Sequence, residues 1–106
     1  MNLEPKVSII IPVREINAFI LESLPHYGNL NWANYEILIF PDVLPKEKYT
    51  WPKTRMIASG QVGPAEKRDL ALRYAKGDFL AFIDDDAFPS PDWLATAIPN
   101  FSDMGV

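Results

Sequence analysis

Three consecutive carboxylates, Asp84, Asp85 and Asp86, are the residues of this sequence best suited to chemistry. They follow an uninterrupted apolar run at 79–83, and no cation stands among them. Two like charges about 4 Å apart repel by roughly 1 kcal/mol in water and by several times that near a protein surface. A hard divalent cation such as Mg²⁺ or Mn²⁺, which prefers carboxylate oxygens, would relieve this repulsion. The alternative is a solvated acidic turn, because turns are rich in Asp.

The elements that would position these acids form an α/β pattern. The run at 79–83 predicts a strand buried on both faces, as in a parallel sheet. Further apolar runs predict strands at 7–13 and 35–40, with a weaker one at 54–58. The order β-α-β-β-α-β-α indicates a three-layer α/β unit with a mainly parallel sheet. Ligands of such open sheets bind beyond the carboxyl ends of the strands, where the acids are predicted to lie.

Helices are predicted between these strands. The first runs from Arg14 or Glu15 to about Tyr27, where apolar residues recur at helical spacing. The second runs from Pro64 or Ala65 to Lys76 and stops at Gly77 in the left-handed conformation. A single helical turn is predicted around 46–49.

The last predicted helix is capped by Ser90 and interrupted at Pro99. Its predicted buried stripe consists of Trp93, Leu94, Ala97, Ile98 and Phe101. A further strand would be expected to begin near the end of the sequence, so we interpret the 106 residues as one domain of a longer protein.

Composition excludes several classes of protein. The net charge of −4 and a pI near 4.8 argue against non-specific nucleic-acid binding, which needs a basic surface. No apolar run approaches the roughly 18 residues that span a bilayer, and no signal-peptide pattern opens the chain. Cysteine is absent, which excludes disulfides and thiolate metal sites. The absence of cysteine leaves the redox compartment undetermined. We expect a cytoplasmic domain, with membrane association of the full-length protein left open.

Other catalytic motifs are missing. No Gly-x-Gly-x-x-Gly follows the first strand, and no Walker A motif is present. The serines have no nucleophile-elbow context. The single histidine, His26, has no second ligand nearby in sequence, which favours a structural role.

Three stretches together resemble inverting family 2 glycosyltransferases with the GT-A fold. Residues 7–13 resemble their opening strand, and 63–71 resemble a helix that begins with glycine and carries an Ala-Arg-Asn segment. Residues 75–89 are similar to their strand that ends in an Asp-x-Asp motif, and the helix that follows opens at Pro91. The resemblance implies a Rossmann-like nucleotide-binding half of a metal-dependent transferase, with a nucleoside-diphosphate sugar as donor and a hydroxyl acceptor.

Carried over by position, the resemblance also implies site residues. Asp86 would bind the divalent metal, Mn²⁺ or Mg²⁺, that bridges the two phosphates. Asp84 and Asp85 would bind ribose or complete the metal shell, and Asp42 would contact the nucleobase. The nucleotide-sugar site would comprise Pro12, Val13, Asp42, Gly63, Arg68, Asp84 and Asp85. The catalytic base of this family lies in the C-terminal half, beyond Val106, so this chain alone should transfer little or no sugar.

Two other interpretations remain open. The chain departs from the family pattern at Arg14-Glu15, at 40–43 and at 67–69, which leaves room for a non-catalytic regulatory or interaction module of the same fold. The segment 83–86 also superficially matches the Asp-x-Asp nucleophile of aspartyl phosphatases. That family, however, places its motif on the first strand, whereas here it follows the last.

Overall fold

The sheet of this protein is parallel throughout the residues described by the computed structural model, which are 5–103, with side-chain surroundings for 5–98. Its strands are β1 (Val7–Pro12), β2 (Tyr35–Phe40), β3 (Thr54–Met56) and β4 (Phe79–Phe82). Their spatial order is β3-β2-β1-β4. The chain therefore builds outwards from β1 on one side and returns to add β4 on the other. This arrangement creates a topological switch point between β1 and β4.

Helices cover both faces of the sheet, which confirms the predicted three layers. They are α1 (Ala18–Tyr27), α2 (Pro64–Tyr74) and α3 (Trp93–Asp103). Successive strand side chains point to opposite faces. Ile9 and Ile11 of β1 accordingly share one apolar cluster with α1 and α3, whereas Ile10 shares the other with Ala71 of α2.

The central strands follow their prediction closely. β1 and β2 pair in register from Val7 opposite Tyr35 to Pro12 opposite Phe40. Every residue from Val7 to Ile11 is buried, and each fully buried large aliphatic side chain contributes about 1.5–3 kcal/mol. Continuous β-branched runs thus mark strands that are covered on both faces.

The prediction that the strand before the acids is buried on both faces is wrong. Among the described residues, β4 pairs only with β1 and forms the edge of the sheet. Phe79, Leu80 and Ala81 are half-buried, and Phe82 is 42% exposed. An apolar run indicates that a strand is hydrophobic. It does not show whether the strand lies at the centre of the sheet or at its edge.

The first two helices differ from prediction at their ends. α1 begins at Ala18 because the Asn17 side chain accepts a hydrogen bond from the Ile20 N–H at 3.0 Å and caps the helix there. α2 ends at Tyr74, and Gly77 does not have a positive φ. Gly77 is needed for space instead, since a Cβ there would lie 2.6 Å from the Ser8 backbone nitrogen.

Predictions for the irregular segments also need correction. Residues 46–49 contain a bend and no helical turn. α3 begins at Trp93, so Ser90 is not its cap, although the Ser90 carbonyl accepts from the Trp93 N–H. α3 also continues through Pro99, because the burial of Leu94 and Ile98 in the core offsets the cost of a proline inside a helix. Phe101 lies outside the described side chains.

Candidate functional site

A crevice opens at the carboxyl ends of the strands, beside the switch point between β1 and β4. One part of it, about 310 Å³, lies between the end of β1, the start of α2 and the acidic turn. Its lining residues are Pro12, Val13, Arg14, Val62, Gly63, Pro64, Lys67 and Asp85. A second part, about 340 Å³, extends towards β2 and is lined by Arg14, Asp42, Gln61, Val62 and Gly63. Because the two parts share Arg14, Val62 and Gly63, we treat them as one crevice.

The three acids after β4 occupy different environments. They form a tight turn in which the Asp84 carbonyl accepts from the Ala87 N–H at 3.2 Å. Asp85 is half-buried, and its Oδ2 accepts a hydrogen bond from Asn17 Nδ2 at 2.7 Å. Asp84 and Asp86 are exposed, and within the described part of the chain their carboxylates have no ion pair or hydrogen bond. Only Asp85 lines the crevice.

A buried lysine forms the floor of the site. The side chain of Lys67 is 4% exposed, and its ammonium group donates to the Val13 carbonyl at 2.6 Å, the Phe40 carbonyl at 2.9 Å and Asp42 Oδ1 at 2.6 Å. An ammonium has three donors, and here each finds an oxygen. Lys67 thereby joins the ends of β1 and β2 to α2 and fixes the Asp42 carboxylate at the rim.

Sequence reasoning missed Lys67 and favoured its neighbour Arg68. A signal was available: Lys67 precedes the buried Ala71 by four residues, so both lie on the face of α2 that packs on the sheet. A lysine on an apolar face indicates a buried partner. Arg68 is exposed, and its guanidinium lies 5.6 Å from the Phe82 ring centroid, away from the crevice lining.

The predicted site residues are thus brought together only in part. Those that line the crevice are Pro12, Val13, Asp42, Gly63 and Asp85. Asp84, Asp86 and Arg68 lie outside the lining. Arg14 was not predicted as a site residue, yet it borders both parts of the crevice.

The acidic turn fits one type of metal site and not another. Between residues 5 and 103, no group of three or more His, Cys, Asp or Glu side chains is arranged to hold a metal ion. The described residues therefore do not form a metal site in which every ligand comes from the protein. Mg²⁺ is commonly held by one or two carboxylates together with water and substrate phosphates, and the exposed Asp86 carboxylate suits that mode.

Comparison with known proteins places the chain in a family. Residues 8–106 match the model described as Glycosyl transferase family 2. The chain belongs to this family. An uncharacterized glycosyltransferase of Haemophilus influenzae is 32% identical over 76% of the chain, and the putative glycosyltransferase EpsH of Bacillus subtilis is 25% identical over 93%. The chain spans 29% and 31% of these two relatives. The match does not favour the phosphatase interpretation.

Solved glycosyltransferase structures share the fold. The mannosyltransferase PcManGT of Pyrobaculum calidifontis, solved in complex with GDP-Man and Mn²⁺, superposes with a TM-score of 0.77 at 22% identity. The alignment covers 91% of this chain and 32% of that one. TarS 1-349 of S. aureus in complex with UDP-GlcNAc gives 0.72 at 20% identity, over 92% of this chain and 31% of TarS. The expected Rossmann-like GT-A architecture is thereby confirmed.

Within residues 5–103, none of the helices has the length and apolar character needed to cross a membrane.

Proposed function

We propose that this family 2 chain is the N-terminal, donor-binding part of a metal-dependent glycosyltransferase. The complete protein would transfer a sugar from a nucleoside diphosphate to an acceptor hydroxyl with inversion at the sugar carbon. The observation that carries the proposal is the crevice at the switch point, into which the ends of β1 and β2, the start of α2 and the acidic turn all project. The chain covers about a third of its solved neighbours, so the transfer activity is proposed for the complete protein.

The crevice residues suggest a division of roles. Asp42, held at the rim by Lys67, would accept a hydrogen bond from the nucleobase, with Pro12 and Val13 bordering the ring. Gly63 has no side chain and would let the backbone approach the diphosphate closely. Arg68, outside the crevice lining, would contact the nucleotide only in the complete protein.

The acidic turn would serve the diphosphate. Asp86 is the proposed metal ligand, and Asp84 is available to complete the metal shell. A bound Mn²⁺ or Mg²⁺ would act as a Lewis acid for the negative charge on the leaving diphosphate. The protein's own contribution is to hold carboxylates at the strand exit, where the two phosphates would lie.

Activation of the acceptor is not assigned to this chain. The family resemblance places the catalytic base in the C-terminal half, and we assign no Asp or Glu of this chain to that role. A general base typically contributes about 10²–10⁴-fold to the rate. The isolated chain should therefore bind nucleotide weakly and transfer little sugar.

Calorimetric titration of the full-length protein with UDP and with GDP, with and without Mn²⁺, tests the proposal. We expect Mn²⁺ to tighten binding of at least one nucleotide and Asp86→Asn to remove that gain. Glu47→Gln removes an equal charge from an exposed loop and should leave binding unchanged. No binding of either nucleotide, or equal affinity with and without Mn²⁺, would contradict the metal-dependent function.

A further inference from the structure

Helix α1 holds the segment that carries the acidic turn. Asn17, at its amino end, donates to the Asp85 carboxylate at 2.7 Å. Further along the helix, the Ser23 hydroxyl lies 3.5 Å from the Asp85 backbone carbonyl. His26 meets the Phe88 ring edge to face, with centroids 5.0 Å apart. The two contacts to Asp85 join parts of the chain 68 and 62 residues apart in sequence.

Asn17 uses its two amide atoms for two separate tasks. Its Oδ1 accepts from the Ile20 N–H and caps α1, while its Nδ2 donates to Asp85. The orientation of the amide is determined by these partners, because an N–H needs an acceptor and a carboxylate needs a donor. The cap therefore fixes the donor at the place where it meets the acidic turn.

The contact distinguishes Asp85 from its two neighbours. Asp84 and Asp86 are exposed, whereas Asp85 is half-buried beside the crevice. A partly buried carboxylate flanked by two others is unfavourable unless donors satisfy it. The Asn17 amide supplies such a donor without adding a positive charge, so the turn keeps its full negative charge.

We infer that Asn17 is a positioning residue that makes Asp85 the acid of the turn presented to the nucleotide in the crevice. The inference rests on the proposed donor-binding function. Since one Asp85 oxygen is engaged by Asn17, the carboxylate is suited to accept hydrogen bonds from the ribose hydroxyls. Coordination of the metal is left to the exposed Asp86. The inference therefore separates roles that the sequence left open.

Asn17→Ser tests the inference with little change to the helix. Serine is also a good N-cap, so α1 keeps its cap and loses the Nδ2 donor to Asp85, together with its longer contact of 3.4 Å to the exposed Glu15 carbonyl. Asn31→Ser is the matched control, because Asn31 Nδ2 donates to Asp92 Oδ1 at 3.1 Å on the exposed surface, away from the crevice. Each variant loses a side-chain hydrogen bond to a carboxylate, so we expect small and similar falls in the unfolding midpoint of the full-length protein.

Binding of UDP or GDP with Mn²⁺ should separate the two variants. A hydrogen bond to a charged group contributes roughly 10- to 100-fold to an equilibrium, and we expect a loss of nucleotide affinity within that range for Asn17→Ser alone. In a transfer assay the KM for the donor should rise more than kcat falls. If wild type binds and Asn17→Ser binds equally well, the inference fails while the proposed function stands. If the wild-type protein binds neither nucleotide, the proposed function is contradicted, and the inference about Asn17 is contradicted with it.

The double variant Asn17→Asp, Asp85→Asn exchanges the two residues. It tests whether nucleotide binding needs a carboxylate at position 85. An aspartate at position 17 can still cap α1 and can accept from the amide introduced at position 85, so the turn would keep its contact. The charge, however, would have moved from the turn to the helix. We expect the double variant to bind UDP or GDP as weakly as Asn17→Ser does. Recovery of wild-type affinity would contradict the inference, because it would show that the contact only orders the turn and that the Asp85 carboxylate is not used.

Discussion

Lys67 shows how a single residue can join the core to the crevice. Removing an ammonium group from water is costly, and the cost is offset here by two carbonyls and the Asp42 carboxylate. The carbonyls belong to Val13, just beyond β1, and to Phe40 at the end of β2, whose carbonyl also accepts from the Val13 N–H at 3.2 Å. The same contacts hold Asp42 at the rim.

Replacing Lys67 with Met should destabilise the protein strongly. The change preserves much of the side-chain volume but removes the donor to the partly buried Asp42 carboxylate and to the Val13 carbonyl, while the Phe40 carbonyl keeps the Val13 N–H. Breaking a buried pair in this way costs about 3–5 kcal/mol. Urea unfolding measures the loss, and Lys48→Met on the exposed loop is the control. A loss for Lys67→Met below about 1 kcal/mol, the upper range for an exposed pair, would show that water replaces the ammonium at little cost.

Glu36, a buried acid, should make stability depend on pH. Burial by itself would raise the pKa of Glu36, but hydrogen bonds from Ser8 Oγ and the Lys76 N–H, with Lys6 and Arg55 nearby, hold its pKa below the ordinary 4.5. A lowered folded-state pKa means that the stabilisation is complete above the unfolded pKa. It is lost as the pH falls through the folded value.

The free energy of unfolding of wild type should therefore fall on acidification below about pH 4.5. Glu36→Gln should be less stable than wild type near neutral pH and should show a shallower fall in acid. Denaturant titrations from acidic to neutral pH measure both slopes. Glu22→Gln, on the exposed side of α1, serves as the control. Equal slopes for Glu36→Gln and wild type would assign the acid sensitivity to other carboxylates.

At the level of elements, the sequence predicts what local patterns determine. Apolar runs identified β1 and β2, and β2 was predicted to the residue. The edge position of β4 was not predictable, because it depends on which strands pair. The true start of α1 depends on the Asn17 cap, and the predicted left-handed stop at Gly77 overlooked the close approach of β1.

Gly77→Ala should destabilise the link between α2 and β4. The added Cβ would lie 2.6 Å from both the backbone nitrogen and the Oγ of Ser8, and Gly77 N–H already donates to that Oγ at 2.8 Å. Forced overpacking typically costs about 1–3 kcal/mol. Gly28→Ala is the control, since Gly28 has helical backbone angles and a Cβ there would meet only ordinary contact. Equal thermal midpoints for the two variants would contradict this packing argument.

At the level of the whole molecule, the family and fold were predictable and part of the crevice was not. Short motifs identified Pro12, Val13, Gly63 and the acidic turn. The contacts that organise them join distant residues: Asn17 and Asp85 are 68 apart in sequence, and Lys67 and Asp42 are 25 apart. No local pattern encodes such pairs before the strand order is known.

The Asp86→Ala variant distinguishes two interpretations of the full-length protein, a transferase and a non-catalytic module of the same fold. A module that uses only the surface of the fold should keep its biological activity in the Asp86→Ala variant. A transferase should lose transfer by about 10²-fold or more, because charge stabilisation at the leaving group is lost. Sugar transfer from UDP- and GDP-sugars by the full-length variant is the assay. No transfer by the wild-type protein would favour the module, whereas equal transfer by wild type and Asp86→Ala would contradict the proposed metal role of Asp86.

Paramagnetic relaxation by Mn²⁺ tests the central claim most directly. With UDP or GDP present, Mn²⁺ should broaden the amide resonances of 84–87 and, less strongly, those of 63–67. Lys6 and Asp78, which precede β1 and β4 at the opposite edge of the sheet, should remain sharp. Broadening centred elsewhere, or none with either nucleotide, would contradict a metal-assisted donor site at the acidic turn.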